Sequence, residues 1–359
     1  VTGPVTPPVT PPVTRTGGRP VVEVRDLRRE VTPPVTRTGG RPVVEVRDLR
    51  REFVVHRSAG GFRRTRHRVA AVDGVSFTIS RGECVGYIGA NGAGKSTTIK
   101  MLTGILVPTS GSLQVCGLEP TRQRARLARR IGAVFGQRSQ LWWDLPLRDS
   151  FRLLGAVHRL PREAWETRRD ECVELLDMGP FLDTPVRQLS LGQRMRGEVT
   201  AALLHSPDLL LLDEPTIGLD LLSKESLRSF LVRERRERGT TILLTTHDLP
   251  DIERLCERLL VVDHGQLVFD GPLAGLVSRV GAERVVVVDL AGPGPPLADI
   301  PGTTLRSVEA DGMRQHLAFR PDETTAADVV AAVAARVPLR DLTVTEPDIE
   351  DVVRRLYTS

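Results

Sequence analysis

The chain has 359 residues, 40% of them hydrophobic, which is enough for about two domains with a real core. No run of 18 apolar residues occurs, which excludes a membrane-spanning helix, and the opening Val-Thr-Gly-Pro has neither the basic segment nor the apolar run of a signal peptide. The net charge of +5 is local: residues 1–52 carry ten Arg against six acidic residues, residues 53–70 carry five Arg and no acid, and the remainder is net acidic. The basic start reads as a solubilising flank, with nucleic acid or anionic lipid as the alternatives. Cys84, Cys116, Cys172 and Cys256 are far apart and mostly within apolar patterns. They read as buried thiols of a cytosolic protein, not as a disulfide frame or a metal site.

Residues 9–30 and 31–52 are identical letter for letter. A perfect tandem copy is unlike a folded repeat, because each copy would need its own packing partners. Only the second copy runs into the rest of the chain, so 43–47 is expected as the first strand and the Val/Thr/Pro segments before it as extended or disordered. Residues 53–55 continue that ribbon, and an Arg-rich loop follows at 57–68. Two strands are expected at 69–72 and 75–79, then a strand at 83–88. Gly89-Ala90-Asn91-Gly92-Ala93-Gly94-Lys95-Ser96-Thr97 fits the nucleotide phosphate loop, and a helix starts behind it. Its glycines let backbone N–H groups turn toward a phosphate chain. Lys95 is placed to reach the β- and γ-phosphates and Ser96 to ligate Mg²⁺.

A strand at 111–117, a short basic helix at 122–130 and a buried strand at 131–135 come next. Residues 141–180 read as helix-rich, with Trp142, Trp143 and Trp165 among them. A helix from about 194 to 204 precedes the apolar strand 209–212, which is patterned as a central parallel strand. Asp213 and Glu214 at its end are placed to hold Mg²⁺ and to activate water. A charged helix at 223–238, a strand at 241–246, a helix at 249–258 and a hairpin at 259–269 complete this part. After about residue 281 the composition shifts to a small α+β module. It has strands at 284–290, 304–308, 313–319 and 339–344, a helix with a capping-box start at Thr325, and a last helix from Thr345. The module holds no cluster of catalytic residue types.

Leu189-Ser190-Leu191-Gly192-Gln193 resembles the signature, usually written LSGGQ, of ATP-binding cassette (ABC) ATPases. The other motifs of that family stand in its order over roughly 42–272: the phosphate loop at 89–97 (Walker A), Gln137 of the Q-loop, Asp213 and Glu214 of Walker B, Gly218-Leu219-Asp220 of the D-loop, and the switch His247. Phe53 stands where the family has its adenine-stacking aromatic. Leu191 departs from the usual Gly. The resemblance implies an α/β P-loop nucleotide-binding domain with a helical subdomain and an antiparallel β subdomain, followed by the small C-terminal α+β module. The domains expected are a Pro-Thr-Arg-rich extension at 1–41, the ATPase at 42–278 with its helical subdomain at about 138–200, and the module at 279–359.

The same resemblance implies an ATPase that hydrolyses ATP to ADP and phosphate with Mg²⁺. Glu214, His247, Gln137 and Lys95 would be its catalytic set. ATP would be held by Phe53, Gly89, Asn91, Gly92, Ala93, Gly94, Lys95, Ser96 and Thr97 of one copy. Ser190, Leu191, Gly192, Gln193 and Asp220 would face it from a second copy packed head to tail. Mg²⁺ would be held by Ser96, Gln137 and Asp213. The stretch 136–146 and the closing residues 347–353 resemble a bacterial subfamily of exporter ATPases paired with ABC-2-type permeases. That resemblance implies a permease partner, a homodimer or close-paralogue dimer, and a place on the cytoplasmic face of the membrane. Trp142 and Trp143 are expected either at the permease-docking groove or in ordinary packing. The rival readings are a soluble ABC ATPase acting on nucleic acid or the ribosome, and a regulatory protein that binds ATP without turnover.

Overall fold

Four consecutive leucines show how this chain builds two cores at once. A computed structural model describes residues 41–58, 64–136, 139–246, 248–279 and 283–345. Leu209 to Leu212 are all fully buried. Because side chains alternate across a strand, Leu210 and Leu212 enter one hydrophobic cluster and Leu209 and Leu211 the other. The element that carries them lies inside a sheet covered on both faces, the usual setting of parallel strands.

In chain order the strands are β1 (Val44–Ser58), β2 (Arg64–Ile79), β3 (Cys84–Gly89), β4 (Ser110–Val115), β5 (Ile131–Phe135), β6 (Leu209–Asp213), β7 (Thr241–Thr245), β8 (Arg258–Asp263), β9 (Gln266–Gly271), β10 (Arg284–Leu290), β11 (Thr303–Glu309), β12 (Arg314–Phe319) and β13 (Leu339–Thr345). The helices are α1 (Lys95–Leu102), α2 (Arg124–Leu127), α3 (Leu147–Val157), α4 (Arg162–Leu175), α5 (Leu191–Leu203), α6 (Leu221–Arg238), α7 (Leu249–Leu255), α8 (Leu273–Arg279) and α9 (Ala326–Ala334).

The central sheet has the order β5-β6-β7-β3-β8-β9, parallel except for β9. A three-stranded antiparallel sheet, β2-β1-β4, lies over one face. The cluster between them joins Val44, Val46, Phe77 and Ile79 to Tyr87, Leu243 and Leu260, with Ile99 and Leu102 of α1. On the other face Leu147, Phe151, Leu154 and Trp165 from the helices inserted between β5 and β6 join Val199 of α5, Leu231 of α6 and the second set of strand residues. The spacing of Leu147, Phe151 and Leu154 is one face of a helix. A buried ion pair, Arg168 Nη2 to Glu234 Oε2 at 2.5 Å, ties α4 to α6. Removing one partner of such a pair costs about 3–5 kcal/mol, because the other charge stays buried alone.

The C-terminal module is a four-stranded antiparallel sheet, β11-β12-β10-β13, with α9 packed through Val329 and Val333 onto Val286, Val288, Leu317 and Phe319. It has its own core. Thr325 caps α9, accepting the Asp328 N–H at 3.2 Å. The capping box is incomplete: the Asp328 carboxylate takes the Thr325 hydroxyl proton at 2.6 Å.

Several expectations are corrected. The strands expected at 69–72 and 75–79 are one, β2, and the Arg-rich loop is shorter than 57–68 because β1 and β2 pair out to Ser58 and Arg64. Three small register shifts in that ladder, on either side of Leu49 and after Arg51, break the alternation that the sequence reading relied on. Helix α5 starts at Leu191, since Ser190 already caps it. Helix α7 ends at Leu255 because Cys256 is extended. Arg258 then enters β8 and binds Asp270 of β9 with two bonds of 2.6 and 2.8 Å. Helix α8 was not anticipated. The first tandem copy and the last helix expected from Thr345 lie outside the described residues, apart from Thr345 itself in β13. All four cysteines are buried and unbridged, as expected.

Candidate functional site

The loop between β3 and α1 has glycine where a side chain will not fit. A Cβ on Gly89 would lie 2.4 Å from the Val262 carbonyl oxygen. One on Gly94, at φ +100°, would lie 2.2 Å from that of Ala71. The loop is thus held against β2 and β8 by backbone contact, and any larger residue forces it outward. Thr98 completes the hold: its N–H and its hydroxyl both donate to the Gly94 carbonyl, at 2.9 and 3.2 Å. Tyr87, fully buried, shares a hydrogen bond with the same hydroxyl at 3.2 Å. Ala90, Asn91 and Gly92 are exposed.

Lys95 is buried, and its ammonium donates to the carbonyls of Gly89 at 2.6 Å and Ala90 at 3.1 Å. Burial lowers its pKa, while Glu214 and Asp213 pull the other way. Its charge therefore sits inside the loop, with the two acids of β6 close enough to act on it.

Those acids stand at the C-terminal end of the sheet, where ligands of open α/β folds gather. Asp213 Oδ1 accepts from Thr245 Oγ1 at 2.6 Å and from Ser96 Oγ at 3.4 Å. The next residue, Glu214, is held at φ +55°, a left-handed conformation that costs a non-glycine residue about 1–3 kcal/mol. Its N–H donates to the Thr245 carbonyl at 2.9 Å and is also 3.2 Å from the Thr245 hydroxyl. Thr245 thus fixes both acids from β7. Sequence reasoning missed Thr245, Tyr87 and Thr98, although a threonine at the end of a central strand, two residues before His247, was a usable signal.

A second cluster forms around the start of α5. Ser190 and Gln193 make a reciprocal capping box, with Gln193 N–H to Ser190 Oγ at 3.2 Å and Ser190 N–H to Gln193 Oε1 at 2.9 Å. Asp220 caps α6 through the Ser223 N–H at 2.9 Å and accepts the Ser223 hydroxyl at 2.6 Å. These bonds hold its pKa down. The two caps touch: a Cβ on Gly192 would lie 2.6 Å from Ser223 Oγ. Leu191, the departure from the usual signature, leans on Gly218, where a Cβ would lie 2.8 Å from its Cδ2. Thr216, between Glu214 and this turn, bonds buried Asp251 of α7, which also receives Arg228 Nε at 2.6 Å.

The structure therefore brings Gly89, Gly94, Lys95, Ser96, Asp213 and Glu214 together, and separately Ser190 to Gln193 with Gly218 and Asp220. Among the described residues no hydrogen bond joins residues 190–193 to residues 89–97. Phe53 is half-buried on β1 beside Arg51, whose guanidinium lies 4.7 Å from the ring centroid, and it belongs to no buried cluster. Trp142 and Trp143 are 40% and 52% exposed, which removes them from ordinary core packing, whereas Trp165 is buried. Gln137 and His247 lie outside the described residues.

Residues 72–217 match the family profile described as ABC transporter. Over 229 residues the chain is 39% identical to a Nod factor export ATP-binding protein I of Burkholderia lata, covering 62% of this chain and 72% of that protein. The chain belongs to the ABC transporter ATP-binding family. It is also 33% identical over 222 residues to the ABC transporter ATP-binding protein NatA of Bacillus subtilis, covering 90% of that relative. Among solved structures, an ATP-binding subunit of an ABC transporter superposes with a TM-score of 0.57 at 28% identity, over 67% of this chain and 93% of that one. A dimeric ATP-binding cassette in a post-hydrolysis state, bound to ADP and Pi, gives 0.56 at 25% identity, over 64% and 98%. Membership makes this an ATP-binding cassette with the P-loop fold and its helical and antiparallel β subdomains. It is consistent with ATP hydrolysis coupled to a permease. No helix among the described residues is long and apolar enough to cross a membrane.

Proposed function

We propose that this cassette hydrolyses Mg²⁺-bound ATP between two head-to-tail copies, or one copy and a close paralogue, and so drives a separate ABC-2-type permease in export. The observation that carries the reading is the bonded chain Ser96–Asp213–Thr245 beside buried Lys95. A hydroxyl and a carboxylate sharing one hydrogen bond are a donor pair that fits Mg²⁺. The metal, when bound, would offset charge on the phosphates.

The rest follows from this chain's own groups. The exposed tip 90–92 and the start of α1 would wrap the phosphates with N–H donors, and Lys95 would exchange its two carbonyls for phosphate oxygens. Phe53 would stack on the adenine. Glu214, its backbone pinned by Thr245, would accept hydrogen from the attacking water. The water oxygen bonds to the γ-phosphorus, the bond to the bridging oxygen breaks, and ADP leaves with that electron pair. The start of α5 in the second copy would present Ser190 and its neighbouring N–H groups to the γ-phosphate from the open side. Gln137 and His247 keep the γ-phosphate-sensing roles that the family resemblance gives them. Asp220, committed to capping α6, would support the facing signature more than touch nucleotide.

Trp142 and Trp143 are proposed as the docking face for the permease, with the cassette held at the cytoplasmic side of the membrane. The C-terminal module is proposed to support the dimer. The export assignment draws on the relatives named for export. The test is Glu214→Gln with ATP in detergent-solubilised membranes. A trapped dimer carrying a multi-span membrane protein in stoichiometric amount supports the reading. Ribosomes or DNA in its place would defeat it.

A further inference from the structure

A glutamate inside a helix that packs on both a sheet and other helices is costly unless its charge is used, since a carboxylate taken out of water needs partners to replace its hydration. Glu198 of α5 is such a residue, 4% exposed. Among the described residues the hydrogen-bond partners of its carboxylate lie in one short segment, and the Arg194 charge acts on it from its own helix. The Ser139 hydroxyl donates to its Oε1, the Gln140 N–H donates to its Oε2 at 3.1 Å, and the Gln140 side-chain amide donates to its backbone carbonyl at 3.0 Å. That segment begins two residues after Gln137. The Ser139 hydroxyl oxygen also takes the Leu141 N–H at 3.1 Å, so the carboxylate organises the whole turn.

The far end of the segment is bound to the same region. The Arg194 guanidinium lies 6.0 Å from the centroid of the Trp143 ring. Arg187 N–H donates to the Trp143 carbonyl at 3.0 Å and Val186 N–H to that of Leu145 at 3.1 Å. Residues 186–187 lead directly into Ser190. Glu198 sits eight residues beyond Ser190 on the same helix, and the helix start is locked by its capping box.

We infer that Glu198 is a positioning residue for ATP hydrolysis: it straps the segment after Gln137 to the signature helix, so that residues 139–145 and Ser190–Gln193 move as one body. This rests on the ATPase reading above and adds a residue that the nucleotide never touches. A force received at Trp142 and Trp143 then reaches Ser190 through rigid α5. The strap works as a unit, because removing either the carboxylate or the Ser139 hydroxyl breaks the side-chain bond that joins the segment to α5.

The test compares wild type with Glu198→Ala, Glu198→Gln, Ser139→Ala and the Ser139→Ala/Glu198→Ala pair. The readouts are amide hydrogen exchange at residues 140–142, affinity for a fluorescent ATP analogue, and kcat and KM for ATP. In Glu198→Ala, exchange at 140–142 should speed at least about tenfold and kcat fall about tenfold, with KM and analogue affinity within about twofold. Ser139→Ala, in a surface turn, should reproduce the pattern at about threefold, and the pair should lose no more than Glu198→Ala alone. Glu198→Gln, which keeps an acceptor for Gln140, should recover most of kcat. Unchanged exchange overturns the strap. Faster exchange with unchanged kcat overturns the positioning role, as does a parallel loss of affinity, kcat and melting temperature in both single variants. Absence of turnover in wild type would defeat the ATPase reading instead, and exchange alone would then decide the strap.

Discussion

The two clusters of the cassette are built by opposite means. Around residues 89–97 the backbone itself is trapped. Gly89 and Gly94 lie against carbonyl oxygens of other strands, Thr98 and Tyr87 hold the loop from beneath, and Lys95 is buried among its own carbonyls. Around residues 190–193 side-chain caps hold the turn, with Gly192 buried against Ser223, and the neighbouring apolar side chains face outward. Leu191, Ile217, Leu221 and Leu222 are 36%, 44%, 75% and 79% exposed. The first cluster is finished within one chain. The second is an exposed surface, which suits the half-site for another copy proposed above.

That contrast can be broken at its strongest point with Gly94→Ala. A methyl group 2.2 Å from the Ala71 oxygen at φ +100° has no room and the wrong backbone region. Nucleotide binding should fall by about 100-fold or more, read by titration with a fluorescent analogue. Thr245→Val removes the hydroxyl that fixes Asp213 and lies against the Glu214 N–H while keeping the side chain's shape. Turnover should drop about tenfold with melting shifted by only about 1 kcal/mol, measured by steady-state kinetics and calorimetry. At the outward cluster the expected pattern reverses. The double change Leu221→Ser/Leu222→Ser should leave thermal stability within about 0.5 kcal/mol, because both side chains are largely exposed among the described residues, yet weaken ATP-dependent dimers of Glu214→Gln protein in sedimentation. Equal dimer formation would show the exposed leucines to be incidental.

The smallest effect concerns the far end of α5. His205, just past it, donates from Nε2 to the Ile131 carbonyl at 2.9 Å and stacks on His158 at 4.2 Å between centroids. Its Nδ1 is buried with no hydrogen-bond partner among the described residues. Protonation would create an N–H there with no acceptor, and burial accordingly lowers its pKa to about 4. His158 is lowered too, by burial and by Arg129. A folded pKa below the ordinary 6.5 means that the unfolded chain binds the proton more readily. The stabilisation is full above pH 6.5 and is lost as pH falls toward 4. Melting temperature should therefore decline more between pH 7 and 5 in wild type than in His205→Gln, which can keep the bond to Ile131.

Much of this was legible in the sequence because short-range rules suffice for it. The strand 131–135, the four leucines and the acids that follow them need only pattern and order, and the phosphate loop needs only its spacing. The misreadings share a cause. β2 was split because its ladder slips against β1, and a slip exists only between two strands. α7 was drawn too long because Arg258 is drawn into β8 by Asp270, a partner twelve residues on. Thr245 and Glu198 went unnoticed for the same reason. A threonine in a strand and a glutamate in a helix are ordinary residues until their partners across the fold are known.

The burial of Lys95 has a practical consequence, because the chain has 47 arginines and only three lysines. Lys224 is engaged by Asp248, and Lys100 is exposed on α1. Amine-selective reagents therefore meet Lys100 as the one freely presented lysine side chain among the described residues. Lys95 is buried, and the Gly89 and Ala90 carbonyls hold its ammonium. Its labelling is limited by access, which makes one lysine peptide, read by mass spectrometry with and without nucleotide, a direct footprint of whether the phosphate loop is filled.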